Sequence, residues 1–327
     1  DSHTCAILDD GSLKCWGYNS FGQVGNGPVG WWSAVNTPQL VDLGVGRTAV
    51  SVSLGEAHTC AILDDGSLKC WGQGTYGQLG IGSTTTQTTP QLVDLGVGRT
   101  AVSVSLGQYY TCAILDDGSL KCWGYNLGDQ LGIGSTTNLS EYTPQLVNLG
   151  VGRIAVSVSL GADHTCAILD DSSLKCWGNN FNGQLGIGPT ATTNKNTPQL
   201  VDLGVGRTVV SVSLGADHTC AILDDGSLKC WGRGIYGQLG IGSQIDQTTP
   251  AFVEGFGLSI KLGKIYGTPT QTTPTQTYTF YGNNSVGSDT FDMDITIVPA
   301  YDYGNNTLVL TRNESMIARS PIITGGP

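Results

Sequence analysis

A string of fifteen residues that returns five times constrains this chain more than any other feature. HTCAILDDGSLKCWG at His3–Gly17 recurs at His58–Gly72 and His218–Gly232, with close variants at Tyr110–Gly124 and His164–Gly178. The first Cys of each copy falls at 5, 60, 112, 166 and 220, giving steps of 55, 52, 54 and 54 residues. A period of that size marks a propeller blade or a solenoid turn, a unit that buries its apolar face only against the next unit. Between copies runs a second string, TPQLVDLGVGRTAVSVSLG, at Thr37–Gly55 and Thr89–Gly107, and with small changes at Thr143–Gly161 and Thr197–Gly215.

Each copy reads as short strands and tight turns. Val50, Val52 and Leu54 alternate with Ser51 and Ser53, the period of a strand with one buried face. Cys5–Leu8 and Ser12–Cys15 flank Asp9-Asp10-Gly11, a three-residue hairpin loop whose Gly takes the left-handed position. In the fourth copy Ser172 replaces that Gly, which predicts a strained turn costing about 1 kcal/mol. WGQGTYGQLGIG at Trp71–Gly82 is too rich in Gly for a helix. The chain is expected to be all-β.

These residues resemble the regulator of chromosome condensation repeat family, whose members form β-propellers. The resemblance runs from about Asp1 to Glu254 and rests on His-Thr, Asp-Gly, Trp-Gly and Gly-Gln-Leu-Gly recurring in register. The family commonly has seven blades, whereas five copies are visible here. The founding member's nucleotide-exchange activity depends on features outside the shared framework, so none of it is carried over. Asp1 aligns just after the VSVSLG strand, so the first blade lacks a leading strand. LSIKL at Leu258–Leu262 matches that strand and is expected to complete the ring, unless it belongs to the segment that follows.

The ten cysteines form five pairs with nine residues between partners: Cys5/Cys15, Cys60/Cys70, Cys112/Cys122, Cys166/Cys176 and Cys220/Cys230. The loop places each pair opposite one another at a non-hydrogen-bonded position, where a cross-strand disulfide closes. Zinc is a poor rival, because structural sites favour two to four residues between paired cysteines. Disulfides imply an oxidising compartment. The four histidines (His3, His58, His164 and His218) share one repeat position, occupied by Tyr110 in the third copy. They form either a ring of imidazoles able to hold a metal or a set of blade-packing side chains, and the Tyr favours packing. The five Asp-Asp pairs read as turn chemistry rather than calcium ligands or acid/base pairs. Gly72–Gly77 and Gly232–Gly237 match G-x-G-x-x-G, yet no helix follows, so no dinucleotide and no other cofactor is expected.

The copies differ most at Pro28–Asn36, Ser83–Thr88, Ser135–Tyr142, Pro189–Asn196 and Ser243–Thr248, loops that a propeller gathers on one side. The first carries Trp31 and Trp32, which stack on a sugar ring, plug a neighbouring subunit, or cover their own blade. Glycosylation sequons stand at Asn138, Asn283, Asn305 and Asn313.

The repeat decays after Pro250. With strands expected at Tyr278–Tyr281 and Thr290–Val298, and a loop at Thr268–Thr277, residues 255–299 look like the later half of an immunoglobulin-like module of prokaryotic surface proteins. Residues 300–327 look like its opening half, so the halves stand in reverse order. The domains are thus 1–254, the propeller, and 255–327, an immunoglobulin-like β-sandwich that is split or permuted. A lone half-module exposes strand edges, a hazard that donor-strand complementation removes. Leu308, Leu310 and Ile317 would then enter a neighbour's core.

Composition narrows the function classes. A net charge of −11 leaves little for a phosphate backbone, so nucleic acid is an unexpected partner. Nine of the 15 basic residues and ten of the 26 acidic ones sit at fixed repeat positions, so charge belongs to scaffold. No stretch approaches the ~20 apolar residues of a membrane span. The chain starts at Asp1 without Met, as expected of a processed product or a window cut from a longer protein. No catalytic set stands out from the repeat, so no enzyme is expected. The resulting expectation is an extracellular or cell-surface structural subunit, a head-to-tail homopolymer joined by strand exchange. The alternative is an adhesin or lectin-like module whose variable loops bind a glycan or a surface protein.

Overall fold

The computed structural model describes residues 2–27, 30, 33–135, 139–189 and 193–254 in full, and the strand backbone at 259–261, 264–266, 276–284, 287–298 and 307–312. The chain divides into two compact units, Asp1–Phe256 and Gly257–Pro327. Trp31, Trp32, Asn138, Asn305, Asn313 and Ile317 lie outside the described residues, and Asn283, Leu308 and Leu310 are described in backbone alone.

Five antiparallel sheets make up the first unit, each a meander in chain order. In blade 2 the strands are Ala49–Leu54, His58–Leu63, Leu68–Gly72 and Gln87–Leu92. Blades 3, 4 and 5 repeat this with inner strands Ala101–Leu106, Ala155–Leu160 and Val209–Leu214. Blade 1 shows three strands, His3–Ile7, Leu13–Tyr18 and Ala34–Leu40, with no inner strand among the described residues. Ser259–Lys261, the centre of LSIKL, pairs with Lys264–Tyr266 in a two-stranded sheet of the second unit.

The central hairpin follows from its loop. Leu63 N–H donates to the Ser67 carbonyl (2.9 Å) and Gly66 N–H to the Leu63 carbonyl (2.9 Å), closing a three-residue loop with Gly66 at φ 77°. That fixes the register at Cys60 opposite Cys70, with equivalent pairs in every blade. All five pairs are disulfide-bonded across Cα–Cα distances of 4.1 Å, the close approach of a non-hydrogen-bonded position. Ser172 adopts φ 60° in the fourth loop, a conformation that costs a non-Gly residue energy. Ser172→Gly should stabilise the oxidised protein by about 1 kcal/mol in urea unfolding, less a few tenths for the freer unfolded chain.

The inner strand differs from a plain alternation. Val50 is 66% exposed, while Ala49 is 5% exposed. The reason is a β-bulge: Ala49 pairs with Leu63 and Ser51 with Ile62, so two steps on one strand match one on its partner and Val50 turns outward. The outer strand carries Pro38, Pro90, Pro144 and Pro198, which an edge position tolerates.

The apolar core lies between blades. Cys60, Ile62, Leu68, Cys70 and Leu79 of blade 2 meet Ala113, Leu115 and Trp123 of blade 3. Each internal blade therefore has a following face of Cys, Ile and Leu and a preceding face of Ala, Leu and Trp. In the second unit, Gln276–Asn284, Gly287–Val298 and Thr307–Arg312 form a three-stranded antiparallel sheet.

Candidate binding surface

The repeated polar residues hold neighbouring blades together. Thr59 Oγ1 and Trp71 Nε1 of blade 2 both donate to the backbone carbonyl of Gln23 in blade 1, at 2.8 and 3.0 Å. The same pair of bonds reaches Gln78 from Thr111 and Trp123, Gln130 from Thr165 and Trp177, and Gln184 from Thr219 and Trp231. A β-carbon on Gly80 would lie 2.5 Å from Trp123 Nε1, so the Gly-Gln-Leu-Gly motif leaves room for the indole it binds.

The histidines join this clasp. His3 Nε2 lies 2.9 Å from Thr59 Oγ1, His58 Nε2 3.0 Å from Thr111 Oγ1, and His164 Nε2 2.9 Å from Thr219 Oγ1. Each Thr hydroxyl spends its only proton on the Gln carbonyl, so its oxygen accepts from the imidazole. The proton therefore sits on Nε2, and Nδ1 is buried without a partner in His3, His58 and His164. Burial lowers the imidazole pKa to about 3 for His58 and His164 and about 4 for His3. Tyr110 fills the same place by donating its hydroxyl to the His164 carbonyl at 2.6 Å. The imidazoles are blade-packing groups. Among the described residues no three His, Cys, Asp or Glu side chains gather to hold a metal.

Removing the central Thr hydroxyl should be costly. Thr111→Val strands the His58 N–H, and the expected loss is about 2–3 kcal/mol. Thr4 holds the same repeat position but is exposed. Thr4→Val should change dilute-protein stability by under about 0.5 kcal/mol in the same urea titration.

The acidic turns serve the fold too. Arg47 bridges Asp64 and Asp65 at 3.2 and 3.0 Å, and Arg99, Arg153 and Arg207 repeat the arrangement. The second Asp of each pair also accepts the N–H of the Ser two residues on, at 2.8 Å for Asp10 and 3.0 Å for Asp65. Lys69 Nζ donates to the Leu43 carbonyl of the preceding connection at 3.0 Å. Gly72–Gly77 and Gly232–Gly237 leave a strand and enter turns, with no helix terminus to receive a phosphate.

What remains free for binding lies where copies differ. Variable loops reach back to the preceding blade: Gly27 N–H donates to the Thr88 carbonyl, Gly82 to Tyr142 and Gly134 to Asn196, at 3.1, 2.8 and 2.8 Å. Beside them Tyr76 packs against Tyr109 and Tyr125, with ring centroids 5.1 and 5.0 Å apart. All three rings are half-buried. Burial, and next the adjacent Glu56, push the Tyr109 hydroxyl pKa upward. Asp163 accepts from Gln130 Nε2 at 2.9 Å, and burial reinforced by Asp217 raises its pKa. Sequence reading missed this cluster because Tyr76 and Tyr125 recur only as Tyr236 and Tyr18, and Tyr109, which brings them together, stands where the other copies carry Ser2, Ala57, Asp163 and Asp217. It also missed the Gln carbonyls, whose one trace is a Gln at the same place in all five copies.

The profile of the RCC1-like domain matches residues 1–268. The chain belongs to the RCC1-like domain family. It is 32% identical over 258 residues to the ultraviolet-B receptor UVR8 of Arabidopsis thaliana, covering 79% of this chain and 57% of that protein. It is 29% identical over 257 residues to the human E3 ubiquitin-protein ligase HERC2, covering 77% of this chain and 5% of that one. It thus spans little more than half of one relative and a small part of the other. Among solved structures, human WBSCR16 superposes with a TM-score of 0.69 at 24% identity, covering 77% of this chain and 65% of that one. Prp20p of Saccharomyces cerevisiae gives 0.68 at 20% identity, with coverages of 78% and 61%. These superpositions establish the RCC1-like β-propeller fold.

Proposed function

We propose that the chain is a non-enzymatic structural subunit of an extracellular or cell-surface assembly. In this reading an RCC1-like propeller is joined to an immunoglobulin-like β-module that links copies by strand exchange. The observation that carries it is the oxidation of all ten cysteines into intra-hairpin disulfides, with no free thiol. Such a set persists outside reducing compartments. Among the described residues, the Thr, Trp and most His of the joints between blades and the Asp of the turns are engaged in packing and turn hydrogen bonds, which supports a non-enzymatic reading. UVR8 is an ultraviolet-B receptor, and Prp20p binds Gsp1p and histones; both accord with a binding domain.

The tail supplies the link. Within one chain Thr307–Arg312 pairs with Gly287–Val298, setting Leu308 opposite Ile297 and Leu310 opposite Ile295. A neighbour's strand can occupy the same ladder, which is domain swapping in its simplest form. Deleting residues 301–327 should leave the five disulfides and propeller spectra intact while abolishing filaments by electron microscopy. Filaments that survive the deletion would refute strand exchange.

The tyrosine cluster favours a second reading, an adhesin or lectin-like module. Half-buried rings beside carboxylates suit the apolar face and hydroxyls of a sugar. Binding of the full chain to a glycan array, lost in Tyr76→Ala, would select this reading over a purely structural one.

A further inference from the structure

A four-stranded meander puts two of its connections, first strand to second and third to fourth, at one end of the blade and the remaining ones at the other. Blades 2, 3 and 4 are each flanked on both sides by another blade. Their connections at the first end are residues 55–57, 73–86, 107–109, 126–139, 161–163 and 179–194. These segments hold three acidic residues, Glu56, Asp129 and Asp163, and no Lys or Arg. The outer strands that follow add one charge of each sign, Glu141 and Lys195. Among the described residues Glu56, Asp129 and Asp163 take part in no ion pair. Glu56 stands beside the Tyr109 hydroxyl and Asp163 beside that of Tyr125. This end is net negative.

It also carries apolar side chains that the fold does not use. Leu127 is 60% exposed and Phe181 70% exposed. They share one repeat position, filled by Ser20 and Thr75 in the first two copies and by Ile235 in the fifth, so packing between blades does not require an apolar residue there. Val45, Val97, Val151 and Val205 are exposed too, but they recur in like loops at the opposite end. A residue that returns in each copy belongs to scaffold, whereas Leu127 and Phe181 belong to this face. Both are held by fixed turns: the Phe181 N–H donates to Asn179 Oδ1 at 3.0 Å, and the Gly128 N–H to Gln130 Oε1 at 2.9 Å. A β-carbon on Gly128 would lie 3.3 Å from Asp163 Cβ, so the carboxylate of blade 4 sits against the loop that carries Leu127. The half-buried rings of Tyr76, Tyr109 and Tyr125 continue the apolar surface onto blade 2.

We propose that this end of blades 2–4 docks a basic, apolar segment of a partner polypeptide. Leu127, Phe181 and the tyrosine rings take its apolar side chains, and Glu56, Asp129 and Asp163 take its Lys or Arg. Tyrosine faces attract cations as carboxylates do, so both kinds of group select the same sign of charge. The apolar contacts supply affinity, and the uncompensated charge steers the approach and rejects acidic partners. The inference goes beyond the readings above and needs neither: sugar on the tyrosines uses neither Leu127 nor Phe181, and strand exchange uses the tail.

The test follows the fluorescence anisotropy of a labelled peptide of four Arg-Leu-Ser repeats titrated with the oxidised full chain. Saturable binding that weakens with added salt is expected. Repeats of Glu-Leu-Ser should not bind, and repeats of Arg-Ser-Ser should bind at least tenfold more weakly. Each variant copies what another blade carries at the same position, so folding is retained, checked by disulfide mapping. Leu127→Thr with Phe181→Ser follows Thr75 and Ser20, and Glu56→Gln with Asp129→Gly follows Gln108 and Gly77. Either pair should weaken binding at least tenfold. Asp42→Asn with Asp94→Asn makes the same charge change at the opposite end, after Asn148, and should leave affinity within twofold. No saturable binding of the Arg-Leu-Ser peptide, equal binding of Arg-Ser-Ser repeats, or equal losses in the two charge pairs would each overturn the proposal.

Discussion

Reduction should cost the propeller more stability than any single side-chain change. Each disulfide closes a loop with its partners 10 residues apart, worth about 2–3 kcal/mol through the entropy of the unfolded chain. Five of them come to over about 10 kcal/mol, comparable with the whole of a typical domain's 5–15. The expected result of treatment with an excess of phosphine reductant is loss of the cooperative urea transition, not a shifted midpoint. The order of reduction is also set by packing. Cys60, Cys70, Cys112, Cys122, Cys166 and Cys176 are wholly buried, whereas Cys5 and Cys220, in the first and fifth blades, are partly exposed. Timed alkylation with mass mapping should find Cys5–Cys15 and Cys220–Cys230 opened first. Equal rates at all five pairs, or an unchanged midpoint after full reduction, would contradict this account.

The parts of the fold legible in the sequence are those fixed by local chemistry. Asp-Asp-Gly-Ser sets a loop length, the loop sets register, and register places Cys60 against Cys70. Ser172 could be read as strained because its copies are all Gly, and it does adopt φ 60°. Asp129 was open to the same argument, since it replaces the first Gly of Gly-Gln-Leu-Gly and adopts φ 62°. The bulge at Val50 was not legible, because V-S-V-S-L alternates perfectly on paper and the extra residue is imposed by the partner strand. Nor was the role of Gln23. Its acceptor is a main-chain carbonyl, which every residue has, and which becomes special only when Thr59 and Trp71 of the next blade arrive.

The candidate surface was legible only in outline. Loop variation located a side of the molecule, while the tyrosine contact depends on Tyr76 and Tyr109 meeting across two blades, 33 residues apart in sequence. The same clasp that hid from sequence explains why the blades cannot move independently. Each Thr and Trp anchor has its acceptor in the preceding blade, and each His its partner in the next. A defect in one joint is therefore felt by two blades, and the cost of Thr111→Val should appear in the cooperative transition, not as local fraying.

Acid should unfold the protein well above the pH at which its carboxylates protonate. His58 and His164 are buried as neutral rings with pKa lowered to about 3 in the folded state, against 6.5 in the unfolded chain. A folded pKa below the unfolded one means that the unfolded state takes up protons first. The stabilisation is complete above pH 6.5 and drains away as pH falls toward the folded value. Each fully responding histidine contributes a slope of about 1.4 kcal/mol per pH unit, so two of them remove about 5 kcal/mol by pH 4.5. His3, lowered to about 4, adds in the same sense. Asp65, Asp117 and Asp171, whose pKa values are lowered first by their Ser hydrogen bonds, act only below the ordinary carboxylate range. The window from pH 6.5 to 4.5 is thus dominated by the imidazoles, with Asp163 and Asp129, whose pKa burial raises, acting in the opposite sense. The third blade supplies the control, since Tyr110 fills the histidine position without a titrating ring in this range. His58→Tyr should reduce the slope of urea-unfolding free energy against pH by about 1.4 kcal/mol per unit while holding stability near pH 7 within about 2 kcal/mol. An unchanged slope would show that His58 is protonated in the folded protein and that its Nδ1 has found a partner.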